Sequence, residues 1–287
     1  MKNKLIKEVS LKSTEDSGSK AEFRFSKLQF YWFFIPGLIL FFLADIILIF
    51  NLNLDWFLAT NRLSEFTGEY LWMVVTFISD GLVSFIILIP LLRKKPEIIW
   101  MVLIAAFFST LLNQIIKRTM HIPRPPSVLA DDQFNLIGPD WGRFSFPSGH
   151  ASIVFVISGV IALSKVKWNI KVLVLLFFSL VALSRTVVGV HWPLDVVVGA
   201  LMGWSCALIG FSLAKRTPWG YGYYAQLIWG ALLLICTIIL FTIDYSGFNN
   251  IMPVQRLIAV LFFWVGLFQY YKIIKDHQLK HKTESSI

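Results

Sequence analysis

The chain has 287 residues, 56% of them hydrophobic and only 15% charged, with a mean hydropathy of +0.68 and a net charge of +9. A soluble domain carries about a quarter charged residues, so an ordinary water-soluble globule is excluded. The two cysteines, Cys206 and Cys236, fall inside apolar runs, which argues against both a disulfide framework and a cysteine metal site.

Residues 1–27 are polar and basic and read as a poorly ordered tail. They do not resemble a cleavable signal peptide, because the basic region is too long and the apolar run after it exceeds a signal core. That first run therefore reads as a retained span. A spanning helix needs roughly 20 mostly apolar residues, and eight segments approach this. They cover about 30–51, 71–92, 98–116, 150–164, 172–188, 194–214, 226–243 and 254–274. Helices are expected because spanning backbone must satisfy its own hydrogen bonds. The fold class is thus an all-α polytopic membrane bundle of about eight helices.

Basic residues set the orientation. With alternate span ends on one side, that side holds 19 of the 26 Lys and Arg: the N-terminal tail, Arg93-Lys94-Lys95, Lys165, Lys167, Lys171, Lys215-Arg216 and the four lysines from Lys272 to Lys282. The positive-inside bias makes it the cytoplasmic side, with both termini on it. The net charge is thereby a topology signal rather than a nucleic-acid footprint.

Seven basic residues stand against the bias: Arg62, Lys117, Arg118, Arg124, Arg143, Arg185 and Arg256. Several lie in three polar stretches that topology places on the same outer surface. In the first, KRTMHIPRPPS (Lys117–Ser127), Pro123, Pro125 and Pro126 impose an extended path carrying Lys117 and Arg124. Two such cations suit an anion with several oxygens, or alternatively lipid phosphates at the interface. In the second, FPSGH (Phe146–His150), Ser148 and Gly149 precede a helix whose first N–H groups favour an anion, and His150 is placed to give a proton to a leaving oxygen. The plainer alternative is an ordinary helix start with an interfacial histidine.

The third stretch is SRTVVGVHWPLD (Ser184–Asp195). Arg185 interrupts an apolar run, marking function, a buried partner or a side chain snorkelling to the interface. His191 and Asp195, at i and i+4, share a helix face. There a carboxylate can leave one imidazole nitrogen unprotonated and nucleophilic, unless the pair is only a helix cap beside an interfacial histidine. Taken together, two histidines, three cations, a carboxylate and a helix N-terminus on one surface are what phosphoryl transfer requires.

These stretches read K-x6-R-P, PSGH and S-R-x5-H-x3-D, and together they resemble the three signature motifs of the type-2 phosphatidic acid phosphatase superfamily, which includes bacterial undecaprenyl-pyrophosphate phosphatases. The resemblance covers about residues 70–215. It implies that His191 attacks phosphorus and forms a phosphohistidine, that Asp195 orients it, and that His150 protonates the leaving group and later helps activate water. It implies further that Lys117, Arg124, Arg185, Ser148 and the Gly149 backbone hold the phosphate, and that no metal or cofactor is needed. No Asp/Glu cluster suited to Mg²⁺ stands against that.

The expected organisation is a cytoplasmic tail (1–27), a six-helix phosphatase core (28–216), two additional spans (217–275) and a second cytoplasmic tail (276–287). The expected function is removal of a terminal phosphate from a membrane lipid phosphate at the periplasmic or extracellular face of a bacterial inner membrane. The alternatives are phosphate transfer between lipids, hydrolysis of a soluble ester, or a non-catalytic lipid-binding or transport protein. The loop from Pro126 to Pro147, with Asp131, Asp132, Asp140, Trp141 and Arg143, is long enough for a lid that selects the head group. Asp45 and Asp80 lie within spans outside any motif, where a carboxylate is a functional candidate by default, and the favoured alternative is a helix-packing hydrogen bond to a Ser or Trp neighbour.

Overall fold

The structure, a computed structural model, describes residues 26–139, 142, 144–244 and 247–284. Most of the N-terminal tail lies outside the described residues, as do Asp140, Trp141 and Arg143 of the expected lid. Among the described residues the regular elements are helices, and six of these are long and apolar enough to cross a membrane. They are α1 (Lys27–Ile49), α6 (Pro96–Met120), α8 (Trp168–Val187), α9 (Pro193–Arg216), α10 (Tyr223–Thr242) and α11 (Met252–Glu284). Two short helices, α2 (Asn53–Asn61) and α3 (Leu63–Thr67), follow α1.

The second and fourth expected spans differ from a simple helix. The second is a broken pair, α4 (Glu69–Phe77) and α5 (Gly81–Ile86), continued by a 3₁₀ turn at Ile89–Leu91 and bent by 61°. Asp80 is extended at φ −61°, ψ 142°, so the helix stops and restarts at Gly81. The fourth is α7 (Gly149–Leu163), whose 15 residues reach only about 22 Å, less than the roughly 30 Å hydrocarbon core. It is the central helix: every residue from Ala151 to Leu163 except Ile153 is buried.

Burial in lipid offers no hydrophobic gain between helices, so close backbone contact must bring them together. Gly199 and Gly203 on α9 lie directly against Ser148 and Ser152, and a Cβ at Gly203 would fall 2.0 Å from the Ser152 carbonyl oxygen. Ser152 Oγ donates to Gly199 O at 2.8 Å across this contact. Trp204 anchors α1 by donating to Phe33 O at 2.9 Å and stacking on the Phe33 ring. α10 and α11 pair with each other and pack on α5 and the Ile89–Leu91 turn. Between them the chain brings Phe248 onto Gly138 of the loop between α6 and α7, which has no room there for a side chain.

Candidate active site

Four helix ends, the last turns of α6 and α8 and the first turns of α7 and α9, meet at one end of the bundle. Arg185 occupies the last turn of α8 and Asp195 the first turn of α9, with His191 in the turn between them. Asp195 Oδ2 accepts the backbone N–H of Trp192 at 2.9 Å and the Ser145 hydroxyl, and it stands 3.3 Å from His191 Nδ1. His191 Nε2 lies 3.2 Å from Nη1 of Arg124. A guanidinium can only donate, so Nε2 must accept, which places the imidazole proton on Nδ1 toward Asp195 and Ser145. The lone pair of Nε2 is thus available for attack.

His191 is 1% exposed. Burial, and after it the charges of Arg124, Arg185 and Lys117, push its pKa well below the ordinary 6.5. Below pH 6.5 the unfolded chain therefore binds a proton that the folded protein excludes, and stability rises with pH there. Acidification through that range is expected to lower the unfolding midpoint in detergent, and His191→Asn to flatten the dependence. Parallel pH curves for the two proteins would contradict this.

The first cationic stretch reaches the site by loop pairing. Pro123 and Phe144 form an antiparallel bridge, and Ser145 N donates to Ile122 O at 2.8 Å. Trp192 Nε1 donates to Pro123 O at 2.9 Å, tying this loop to the His191 turn. Arg124, 6% exposed, donates from Nη1 to Val190 O at 2.8 Å. Lys117, in the last turn of α6, donates to Phe144 O at 3.3 Å.

The PSGH stretch starts α7 as expected. Ser148 caps it by accepting Ala151 N at 3.4 Å, and its own N–H donates to Asp195 O at 2.9 Å. Gly149 lies against the side chain of Asn113, whose amide donates to Pro147 O. His150 Nε2 is 2.9 Å from Asp80 Oδ1. All eight residues read from the motifs are therefore placed at this end of the bundle.

Four further residues join them. Thr76 Oγ1 accepts from Arg185 Nη1 at 2.7 Å, while Nε and Nη2 of Arg185 are buried without a hydrogen-bond partner among the described residues. An unsatisfied buried charged donor costs several kcal/mol at the upper end of such penalties, about 1–3 or more, so this guanidinium is poised for an anion. Ser145 bridges toward His191 Nδ1 at 3.3 Å and Asp195. Asp80 bonds His150 rather than the Ser or Trp neighbour expected from sequence; its position inside an apolar run was the only signal. Asn61 donates to Asn135 O at 2.7 Å and Val187 O at 2.8 Å and accepts Asn135 N at 2.8 Å, so the expected lid is pinned at its middle. Asp45, by contrast, is half-buried within α1.

The profile described as the PAP2 superfamily matches residues 98–219, from α6 through the end of α9. An undecaprenyl-diphosphatase of Sulfolobus acidocaldarius is 30% identical over 163 residues, 54% of this chain and 69% of that protein. The chain belongs to the PAP2 superfamily. A lipid A 4′-phosphatase of Bacteroides thetaiotaomicron is 27% identical over 204 residues, covering 64% of this chain and 88% of the relative. The crystal structure of Aquifex aeolicus LpxE is similar with a TM-score of 0.51 and 32% identity, over 56% of this chain and 95% of that one. The matched residues end at 219, before α10 and α11.

Proposed function

We propose that this PAP2 protein is an integral membrane phosphatase that removes a terminal phosphate from a lipid phosphate or diphosphate at the non-cytoplasmic face, through a phosphohistidine on His191. The observation that carries the reading is the contact of Arg124 Nη1 with His191 Nε2 beside the unpartnered Nε and Nη2 of Arg185. A phosphoryl group held by these guanidiniums is presented to the attacking lone pair. Lys117, Ser148 and the Gly149 N–H complete the oxygen contacts, and Asp195 holds the Nδ1 proton. The N–P bond forms as the P–O ester bond breaks, and His150 supplies the proton to the departing oxygen.

The lipid assignment rests on a groove. An apolar channel of about 480 Å³ runs along α6 from Leu103 through Phe107 and Leu111 to Gln114, with Phe85 of α5 on its other wall. Gln114 and Lys117 are three residues apart and so share a helix face. A hydrocarbon tail lying in this groove from the bilayer would bring its head group to the cations. The relatives named as undecaprenyl-diphosphatase and lipid A 4′-phosphatase support the same class, and candidate substrates are undecaprenyl pyrophosphate, phosphatidylglycerol phosphate, phosphatidate and lipid A phosphates.

Sidedness follows the basic-residue bias, with both terminal tails cytoplasmic and the membrane a bacterial inner membrane. Residues 28–216 form the phosphatase core and 217–275 an addition to it. The charge for the phosphate comes from Lys117, Arg124 and Arg185, so the proposal includes metal independence. The test is phosphate release by purified protein in detergent from lipid monophosphates, lipid diphosphates and soluble esters, with and without EDTA. We expect turnover of lipids that survives chelation. Turnover of soluble esters alone, transfer to a second lipid without phosphate release, or loss of activity with EDTA would each overturn the corresponding part.

A further inference from the structure

We propose that Asp80 is a positioning residue for proton transfer, holding His150 by Nε2 so that Nδ1 is the nitrogen that serves the leaving oxygen. This deepens the phosphatase reading and rests on it. The site then contains two His–Asp pairs, His191–Asp195 for attack and His150–Asp80 for the proton.

The local structure favours this over a purely architectural role. Asp80 stands at the N-cap position of α5, where an aspartate ordinarily caps the first turn, yet its side chain makes no capping bond. It turns instead to His150 Nε2 at 2.9 Å, seventy residues away in sequence. Asp80 is 8% exposed, and a carboxylate within a membrane helix is costly without such a partner. One helical turn earlier, Thr76 of α4 holds Arg185. The break in the second span thus delivers two polar side chains to the site, each onto a motif residue.

Charge gives Asp80 a specific task. The other charged groups acting on His150 are Arg185 of α8 and Arg124 of the outer loop, both cationic, and His191 lies within the same charge cluster. An imidazolium there is opposed first by burial and then by the two guanidiniums, and Asp80 is the group that favours it. With Nε2–H donated to Asp80, only Nδ1 remains to act. In the first half-reaction His191 Nε2 bonds phosphorus, the ester P–O bond breaks with its electron pair on the leaving oxygen, and that oxygen takes the proton from His150 Nδ1. In the second, water oxygen attacks phosphorus while Nδ1 accepts its proton. The N–P bond breaks with its pair returned to His191, and inorganic phosphate departs. His150 is again an imidazolium on Asp80.

A proton donor matters most when the leaving group is a poor one. Dodecyl phosphate expels an alkoxide, whereas dodecyl diphosphate expels a stable phosphate ester anion, with the same tail. For Asp80→Asn we expect kcat on dodecyl phosphate to fall by about 10²–10³-fold and kcat on the diphosphate to fall far less. The basic limb of the pH profile should move to lower pH, and Asp80→Glu should move it back. Equal losses on both substrates, or an unmoved basic limb, would overturn the assignment. If wild type releases phosphate from neither substrate, the phosphatase reading fails and this assignment with it. Should Asp80→Asn not fold, imidazole ¹⁵N shifts in the wild type decide: a proton on His150 Nε2 supports the pair, and a bare Nε2 contradicts it.

Discussion

Replacing His191 by Ala is expected to reduce phosphate release by at least about 10⁴-fold, which corresponds to about 5.5 kcal/mol of transition-state stabilisation. The reason is the placement of Nε2. It is the one ring nitrogen aimed at the guanidinium that would carry the phosphoryl group, and its lone pair is kept free by the Nδ1 proton facing Asp195 and Ser145. His150, the other histidine of the site, is bonded through Nε2 to Asp80 and is assigned to proton transfer. The fold should survive, because the α9 start is held by the Asp195–Trp192 and Ser148–Asp195 bonds, neither of which uses the imidazole. Phosphate release by the purified variant, with its gel-filtration profile as a control for folding, reads this directly. Retention of more than a few per cent of wild-type turnover would remove His191 from the role of nucleophile.

The second large effect is on assembly. Gly203→Ala places a methyl group about 2.0 Å from the Ser152 carbonyl oxygen and 2.8–2.9 Å from Ser152 C and Cα. All three are backbone atoms of the central helix α7, so no side chain can swing aside. α7 and α9 must separate, and separation breaks the Ser152–Gly199 bond and then the Ser148 N to Asp195 O bond that joins two motifs. Overpacking commonly costs about 1–3 kcal/mol, and a backbone clash at a helix crossing belongs at the upper end. We expect a clear fall in the detergent unfolding midpoint and lost turnover even in the folded fraction. Gly222→Ala is the matched control, because a Cβ there meets only Trp219 O at 3.4 Å. Equal midpoints for the two variants would show that this crossing does not depend on glycine.

What the sequence disclosed and what it withheld divide along a physical line. Lys117, Arg124, Ser148, Gly149, His150, Arg185, His191 and Asp195 occur in three short runs. Each run mixes polar residues with an apolar helix end, so local pattern reveals them. Thr76 and Asp80 act on partners 109 and 70 residues away, and nothing within their own run names those partners. Asp80 was visible as a carboxylate in an apolar segment, but hydropathy does not say which element it faces. Ser145 sits three residues from Ser148 yet is brought to Asp195 by the Pro123–Phe144 pairing, a loop contact with no periodic signature.

The spans show the same limit. Apolar runs identified α1, α6, α8, α9, α10 and α11 because composition alone decides solubility in lipid. The run at 71–92 reads as continuous, since a break of three residues at Ile78–Asp80 barely changes its mean hydropathy while turning its axis by 61°. The role of α10 and α11 is likewise invisible in their pattern. Only packing shows that they rest on the broken span and bring Phe248 against Gly138 of the loop between α6 and α7.

The most direct measurement is capture of the intermediate. The purified protein is mixed with a lipid substrate carrying labelled terminal phosphate and quenched in alkali within one turnover, conditions under which a phosphoramidate N–P bond survives. Peptide mass spectrometry then locates the label. The account predicts phosphate on His191 in the wild type and none in His191→Ala. Label on any other residue, or turnover in the wild type with no labelled protein at any quench time, would contradict it.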